Sequence, residues 1–190
     1  MRVLLADSHV RMPWKNGGGE TTEVAIAPAG ASLEDFAWRI SMAKVPNSAS
    51  FSTFAGVDRT LAVLDGEMIV HVENSADVRM CARSKPYSFP GDVPTRATVL
   101  KPVVDLNIMT RRGVCSVNLT WIGNCGRFEA ARETLLLLQS DATLETGQTA
   151  GRDDVLWLAS GERVAFSTAP ASLWAVEIGA EARSRPPRPQ

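Results

Sequence analysis

Phe36-Ala37-Trp38-Arg39-Ile40-Ser41-Met42-Ala43 sets large apolar side chains at every second position, with small or polar ones between them. A period of two belongs to a β-strand, whose successive side chains point to opposite faces. The pattern recurs downstream. In Asp105-Leu106-Asn107-Ile108-Met109-Thr110-Arg111-Arg112, strand spacing puts Asp105, Asn107, Met109 and Arg111 on one face and Leu106 and Ile108 on the other. Arg59 to Val72 reads as two strands joined at Asp65-Gly66, a dipeptide suited to tight hairpins because glycine accepts positive φ. Further strands are expected at 20–27, 78–83, 103–111, 116–122, 134–139, 155–159, 163–167 and 173–178. The single helix candidate is 127–132, around Glu129-Ala130-Ala131. Many short strands divided by Gly, Pro, Asn and Asp clusters make the fold all-β, a sandwich or barrel.

The chain has 190 residues, within the range of one large domain or two small ones, and long enough to fold without metal or disulfide staples. Twenty Lys and Arg against 21 Asp and Glu leave a net charge of −1, so no strong field draws nucleic acid or an anionic membrane. The four consecutive leucines 135–138 fall far short of the roughly 18 apolar residues of a membrane span. Asp7 and His9 interrupt the N-terminal apolar run before a signal-peptide core can form. Cys81, Cys115 and Cys125 form no C-x-x-C pair and read as small apolar residues in a reducing compartment, so a cytoplasmic location is expected.

A faint repeat suggests duplication. Thr60-Leu61-x-x-Leu64 recurs as Thr134-Leu135-x-x-Leu138, and Gly91-Asp92 finds a counterpart in Gly161-Glu162 at a similar offset. Strand, turn, strand and a Gly-acid corner is how a jelly roll is laid down, and the repeat predicts two of them.

Three segments could carry chemistry. Trp14-Lys15-Asn16-Gly17-Gly18-Gly19 is either a tight turn before an edge strand or a loop over a barrel mouth, offering Lys15 and Asn16 to a ligand. Its lysine precedes the glycines and a strand follows, which excludes a phosphate loop. In Phe51-Ser52-x-Phe54-x-Gly56-x-Asp58-Arg59, Arg59 opens a strand; it either pairs with Asp58, Glu20 or Glu23 or grips a ligand carboxylate. The Asp105-Asn107-Met109-Arg111 face is either a solvent face or the lining of a polar cavity, and the Arg39-Ser41 face has the same character. His9 and His71 stand in separate elements, and His71 reads as a strand-surface histidine, so no metal site is expected. Neither a G-x-S-x-G elbow nor a cysteine near a second histidine is present, leaving acid–base work by Asp58, Asp105 or Glu23 as the open catalytic route.

These segments, with Thr21-x-x-Val24, Trp38-Arg39-x-Ser41-x-Ala43-x-Val45 and Gly91-Asp92, resemble the HutD/Ves family in order from about residue 10 to 112. The sequence departs from that family at Ala49-Ser50, where Gly-Pro is usual, and at Ala55, where Pro is usual. The resemblance implies a bicupin, two jelly-roll barrels in one chain. The expected division is a motif-bearing barrel at 1–115, a degenerate barrel at 116–180 with strands exchanged between the halves, and a disordered tail at 181–190. Cupins usually hold metal through a G-x5-H-x-H-x3-4-E motif and a later histidine; that set is missing here, so no cofactor is expected. The resemblance implies a metal-free protein of histidine utilisation that senses a small carboxylate such as formylglutamate or urocanate. Its expected ligand-binding set is Arg59 as anchor, Lys15, Asn16 and Arg39 as polar partners, Trp14 and Phe51 as walls, and Asp105, Asn107 and Arg111. The alternatives are a metal-independent enzyme using Asp105 or Asp58 as base, and a protein-interaction module in stress response, to which Ves relatives are linked. A homodimer is expected by fold analogy alone.

Overall fold

The structure, a computed structural model, describes residues 1–14 and 17–180. Lys15, Asn16 and the expected tail at 181–190 lie outside the described residues. The first half runs β1 (Arg2–Leu4), a 3-10 turn at Ala6–Ser8, β2 (Val10–Pro13), β3 (Glu20–Ala27), β4 (Trp38–Val45), β5 (Ala49–Ser50), β6 (Val57–Val72), β7 (Val78–Cys81), β8 (Tyr87–Pro90) and β9 (Thr95–Arg111). The second half continues with β10 (Cys115–Gly123), β11 (Arg127–Glu129), β12 (Glu133–Leu138), β13 (Ala142–Leu144), β14 (Thr149–Ala150), β15 (Val155–Leu158), β16 (Arg163–Thr168) and β17 (Ser172–Ala180). Among the described residues there is no α-helix, and no helix long and apolar enough to cross a membrane. The fold is all-β.

Three antiparallel sheets result. The first has eight strands, ordered β2-β3-β4-β9-β6-β7, with β5 also on β9 and β8 also on β6. The second is β1-β15-β12-β17-β10 and the third β11-β16-β13-β14; none closes on itself. β1 therefore leaves its sequence neighbours and pairs with β15, Val3 opposite Leu156.

Alternation decides how the sheets pack. Trp38, Ile40 and Met42 of β4, with Leu106 and Ile108 of β9, turn outward from the first sheet. They meet Leu135 and Leu137 of β12 and Trp174, Val176 and Ile178 of β17 in one buried layer. Trp38 and Trp157 meet edge to face there, their ring centres 5.6 Å apart. Each fully buried side chain of this size contributes about 1.5–3 kcal/mol, so the layer binds the halves firmly. The intervening residues Leu136 and Leu138 point the other way, into a core shared with Leu144, Leu156, Leu158, Phe166 and Leu173. An unbroken leucine run is what a strand buried on both faces requires.

Two expectations fail locally. Asp65-Gly66 is no hairpin: β6 continues through it for 16 residues, paired with the 17-residue β9 on both sides, from Val57 opposite Arg111 to Val72 opposite Thr95. The pairing is irregular between Val63 and Met68, and Gly66 there has φ +85°. A Cβ on Gly66 would sit 2.0 Å from the Pro102 carbonyl oxygen, so the glycine lets the strands bend against each other. The irregularity also moves the inward-facing set from Leu61 and Val63 to Met68, Val70 and Val72. The 127–132 segment is not helical either. β11 forms there against β16, and pairing overrides the local propensity of Glu129 and Ala130. Cys115 and Cys125 are buried as expected, while Cys81 is exposed.

Candidate functional site

The inward faces of β4, β9 and β6 form a grid. Arg39 and Arg59 flank Met109 in one row; Ser41, Asn107 and Leu61 make the next; Ala43, Asp105 and Val63 the one after. One strand separates the two arginines, placing their backbones about 10 Å apart, and Asp105 lies about 13 Å along the strand from their row. These faces open into a cavity of about 770 Å³ lined by Arg39, Ser41, Arg59, Asp105 and Asn107. Of the two readings of the Asp105-Asn107 face, the cavity lining is the one realised.

The roof is aromatic. Trp14 follows directly on β2, and Phe51 and Phe54 come from the segment before β6; all three line the cavity. Trp14 donates from its backbone N to the Gly19 carbonyl at 2.9 Å and from its indole Nε1 to Thr21 Oγ1 at 2.8 Å. A Cβ on Gly19 would lie 2.6 Å from the Lys44 carbonyl and 3.0 Å from the Trp14 ring, so the glycine makes room for the close approach of both. Trp14 and Gly18 thus join the cavity wall, and Trp14 and Gly19 also pair across the join of β2 to β3.

The two arginines differ. Arg39 donates from Nε to Glu23 Oε2 at 2.7 Å. Arg59, 5% exposed, donates from Nη2 to the Ser52 carbonyl at 2.7 Å, and its guanidinium lies 5.2 Å from the Phe51 ring and 5.3 Å from the Phe54 ring. Its Nε has no partner, and among the described residues no carboxylate forms an ion pair with it. Burial pushes its pKa down to about 10; the charge of Asp105 opposes that shift and the nearby Arg39 adds to it. It remains a cation at neutral pH. Asp105, 2% exposed, has an unpartnered Oδ1, and so does Asn107. Burial raises the Asp105 pKa to about 7, with Arg59 pulling it back only in part.

Several expected partners are elsewhere. Asp58 is not the partner of Arg59: it faces solvent, where Arg112 Nη2 reaches it at 2.6 Å and the same guanidinium meets Asp92 at 3.1 Å. Glu23 is taken by Arg39. Arg111 stays out of the cavity. Lying at the end of β9, it stacks on Phe36 and donates to the carbonyls of Glu34 at 2.7 Å, Ala55 at 3.3 Å and Phe36 at 3.4 Å. His71 is held between Asp77 at 2.6 Å and Thr98 at 2.9 Å, away from the cavity. Phe54 and the Ser52 carbonyl are the contacts that sequence reading did not assign. The Phe51-x-x-Phe54 spacing ahead of Arg59 was the available signal, since two rings are a common seat for a guanidinium.

The cavity does not suit a metal ion. Its lining carries two guanidiniums, the Asp105 carboxyl, the amides of Asn47 and Asn107 and the hydroxyls of Thr21 and four serines, and no three His, Cys, Asp or Glu side chains converge among the described residues.

The HutD family model matches residues 6–175, which takes in every strand that lines the cavity. The chain belongs to the HutD family. An uncharacterized 21.2 kDa protein in the hutC 3′ region of Pseudomonas putida is 30% identical over 154 residues, covering 80% of each chain. Protein Ves of Citrobacter koseri is 36% identical over 108 residues, or 56% of each chain. The solved structure of HutD from Pseudomonas fluorescens SBW25 (formate condition) superposes with a TM-score of 0.79 at 28% identity, covering 95% of this chain and 99% of that one.

Proposed function

We propose that this HutD-family chain is a bicupin whose first half binds a small carboxylate without metal, as a sensor of an intermediate of histidine utilisation. Two bodies of side chains support the bicupin reading, one inside the first sheet around Leu61 and Met68, one around Leu136 and Leu156, with β1 crossing to the second. In that reading 1–115 and 116–180 are the two units. The HutD match and the relative beside hutC support the pathway link.

One observation carries the ligand class: among the described residues Arg59 is a buried cation without a carboxylate partner, held against the cavity by Phe51, Phe54 and the Ser52 carbonyl. An unpaired buried charge is costly, and a carboxylate from solution relieves that cost through charge-assisted hydrogen bonds. Arg39, paired with Glu23, lines the cavity in the same row. A thermal-shift screen with urocanate, formylglutamate, glutamate, histidine and formate tests the reading. Saturation at a hundred times the dissociation constant adds about 2.7 kcal/mol, a shift of a few degrees. Arg59→Ala should weaken the stabilising acid by roughly 10–100-fold. Binding unchanged in that variant removes Arg59 as the anchor.

Asp105 favours a second reading, because a carboxyl with a pKa of about 7 in a cavity can serve as a general base. Turnover of urocanate or formylglutamate, lost in Asp105→Asn, would establish the enzyme in place of the sensor.

A further inference from the structure

Asp105 is unusual in what it lacks. Its carboxyl faces the cavity at 2% exposure, and Oδ1 has no hydrogen-bond partner. Its row neighbours are Ala43 on β4 and Val63 on β6, which offer neither charge nor hydrogen bonds. The charged groups facing this region from the packed strands are Arg59 on β6, Arg39 on β4 and Glu23 on β3. Glu23 is engaged by Arg39, and Arg59 stays beyond ion-pair distance, bonded to Ser52. Among the described residues an ionised carboxylate so placed would be buried without a direct counter-ion, whereas the neutral acid is tolerated and has an O–H to donate.

We propose that the cavity takes up its anion together with a proton: Asp105 acts as a carboxylic acid that donates to one acceptor of the ligand while Arg59 holds the carboxylate. This rests on the carboxylate reading above and deepens it. No bond beyond hydrogen bonds forms or breaks, and the proton comes from solvent whenever Asp105 is ionised in the free protein. The site thereby discriminates by acceptor count. It favours acids whose carboxylate or adjacent carbonyl presents a free lone pair to Asp105, and it disfavours ligands that bring a donor there. Asp105 is the specificity determinant, and Arg59 the anchor.

Burial raises the Asp105 pKa to about 7 and leaves Arg59 near 10, so between pH 6 and 8.5 the first group titrates and the second keeps its charge. A loss of affinity over that interval therefore reports Asp105. Formate is the probe, since it is too small for a cavity of about 770 Å³ to exclude by shape and is ionised throughout. Titrations followed on the arginine Nε–Hε NMR signals should give a dissociation constant on the order of ten- to thirty-fold weaker at pH 8.5 than at pH 6. In Asp105→Asn that ratio should collapse to within about two-fold, because an amide donates at every pH. If the variant does not fold, the wild type alone decides: linkage requires saturating formate to raise the pH at which the Asp105 ¹³C carboxyl signal titrates. Binding that is equal at both pH values, or tighter at pH 8.5, or an Asp105 titration that formate leaves in place, overturns proton coupling while the carboxylate reading stands. No formate binding at either pH overturns the carboxylate reading itself.

Discussion

The two halves of this chain are filled differently. Inside the second half, Leu136, Leu138, Leu144, Leu156, Leu158 and Phe166 meet one another and leave little but hydrocarbon. Inside the first, β4, β9 and β6 direct Arg39, Ser41, Arg59, Asp105 and Asn107 into open space. The layer between the sheets is apolar on both sides, and the contrast lies in the side chains that face inward. Inward leucines turn a sheet interior into a core. Inward arginines and an aspartate, screened by Trp14 and Phe51, keep it open at a cost in stability that suits a binding site.

If that contrast is correct, truncating a side chain in the filled half should hurt most. Leu136→Ala should lower the unfolding free energy by about 3–5 kcal/mol, read by denaturant melts, with the carboxylate affinity unchanged wherever the protein remains folded. A large loss of affinity at constant fold would show that the halves are not separable in this way.

The hollow half should respond in the opposite sense. The Asp105 pKa is raised from 3.8 to about 7 on folding, so between those values the folded chain keeps a proton that the unfolded chain has lost. Stability relative to low pH is therefore present below pH 4 and lost as the pH rises through 7. Asp105→Asn lacks this penalty. Its stability relative to wild type should improve on going from pH 4 to pH 8 by on the order of 3–4 kcal/mol, measured by paired melts. A pH-independent difference would mean that Asp105 is solvated in the folded protein.

A smaller effect sharpens the comparison at its geometric origin. Gly66, at φ +85° and 2.0 Å from the Pro102 oxygen for any added Cβ, is where β6 and β9 bend to enclose the open half. Gly66→Ala should cost about 1–3 kcal/mol and weaken ligand binding as well, since Arg59 rides on the same strand. A stability loss with full binding would place the bend outside the site's architecture.

Strand positions were largely legible because alternation is a local signal. The 20–27 strand matches β3 end to end, and Trp38-Arg39-Ile40-Ser41-Met42 already separated an apolar face from a polar one. Asp65-Gly66 misled for a physical reason: positive φ at glycine serves a hairpin turn and a strand irregularity equally well, and only the pairing with β9 on both sides chooses between them. Arg111 misled similarly. Its parity matches Asn107, but it sits where β9 ends, and carbonyls of the segments at 34–36 and 55 capture it.

By itself the sequence determined the class of fold, the two-faced character of β4 and β9, and the family, since each depends on residue type at short spacing. Tertiary structure alone decided that the polar faces of β4 and β9 look into a shared cavity and not into water. It also decided that Glu23 belongs to Arg39 and Asp58 to Arg112, leaving Arg59 without a carboxylate among the described residues. Partnership between charges depends on which strands become neighbours and which faces are covered, and those are set by contacts between residues far apart in the chain.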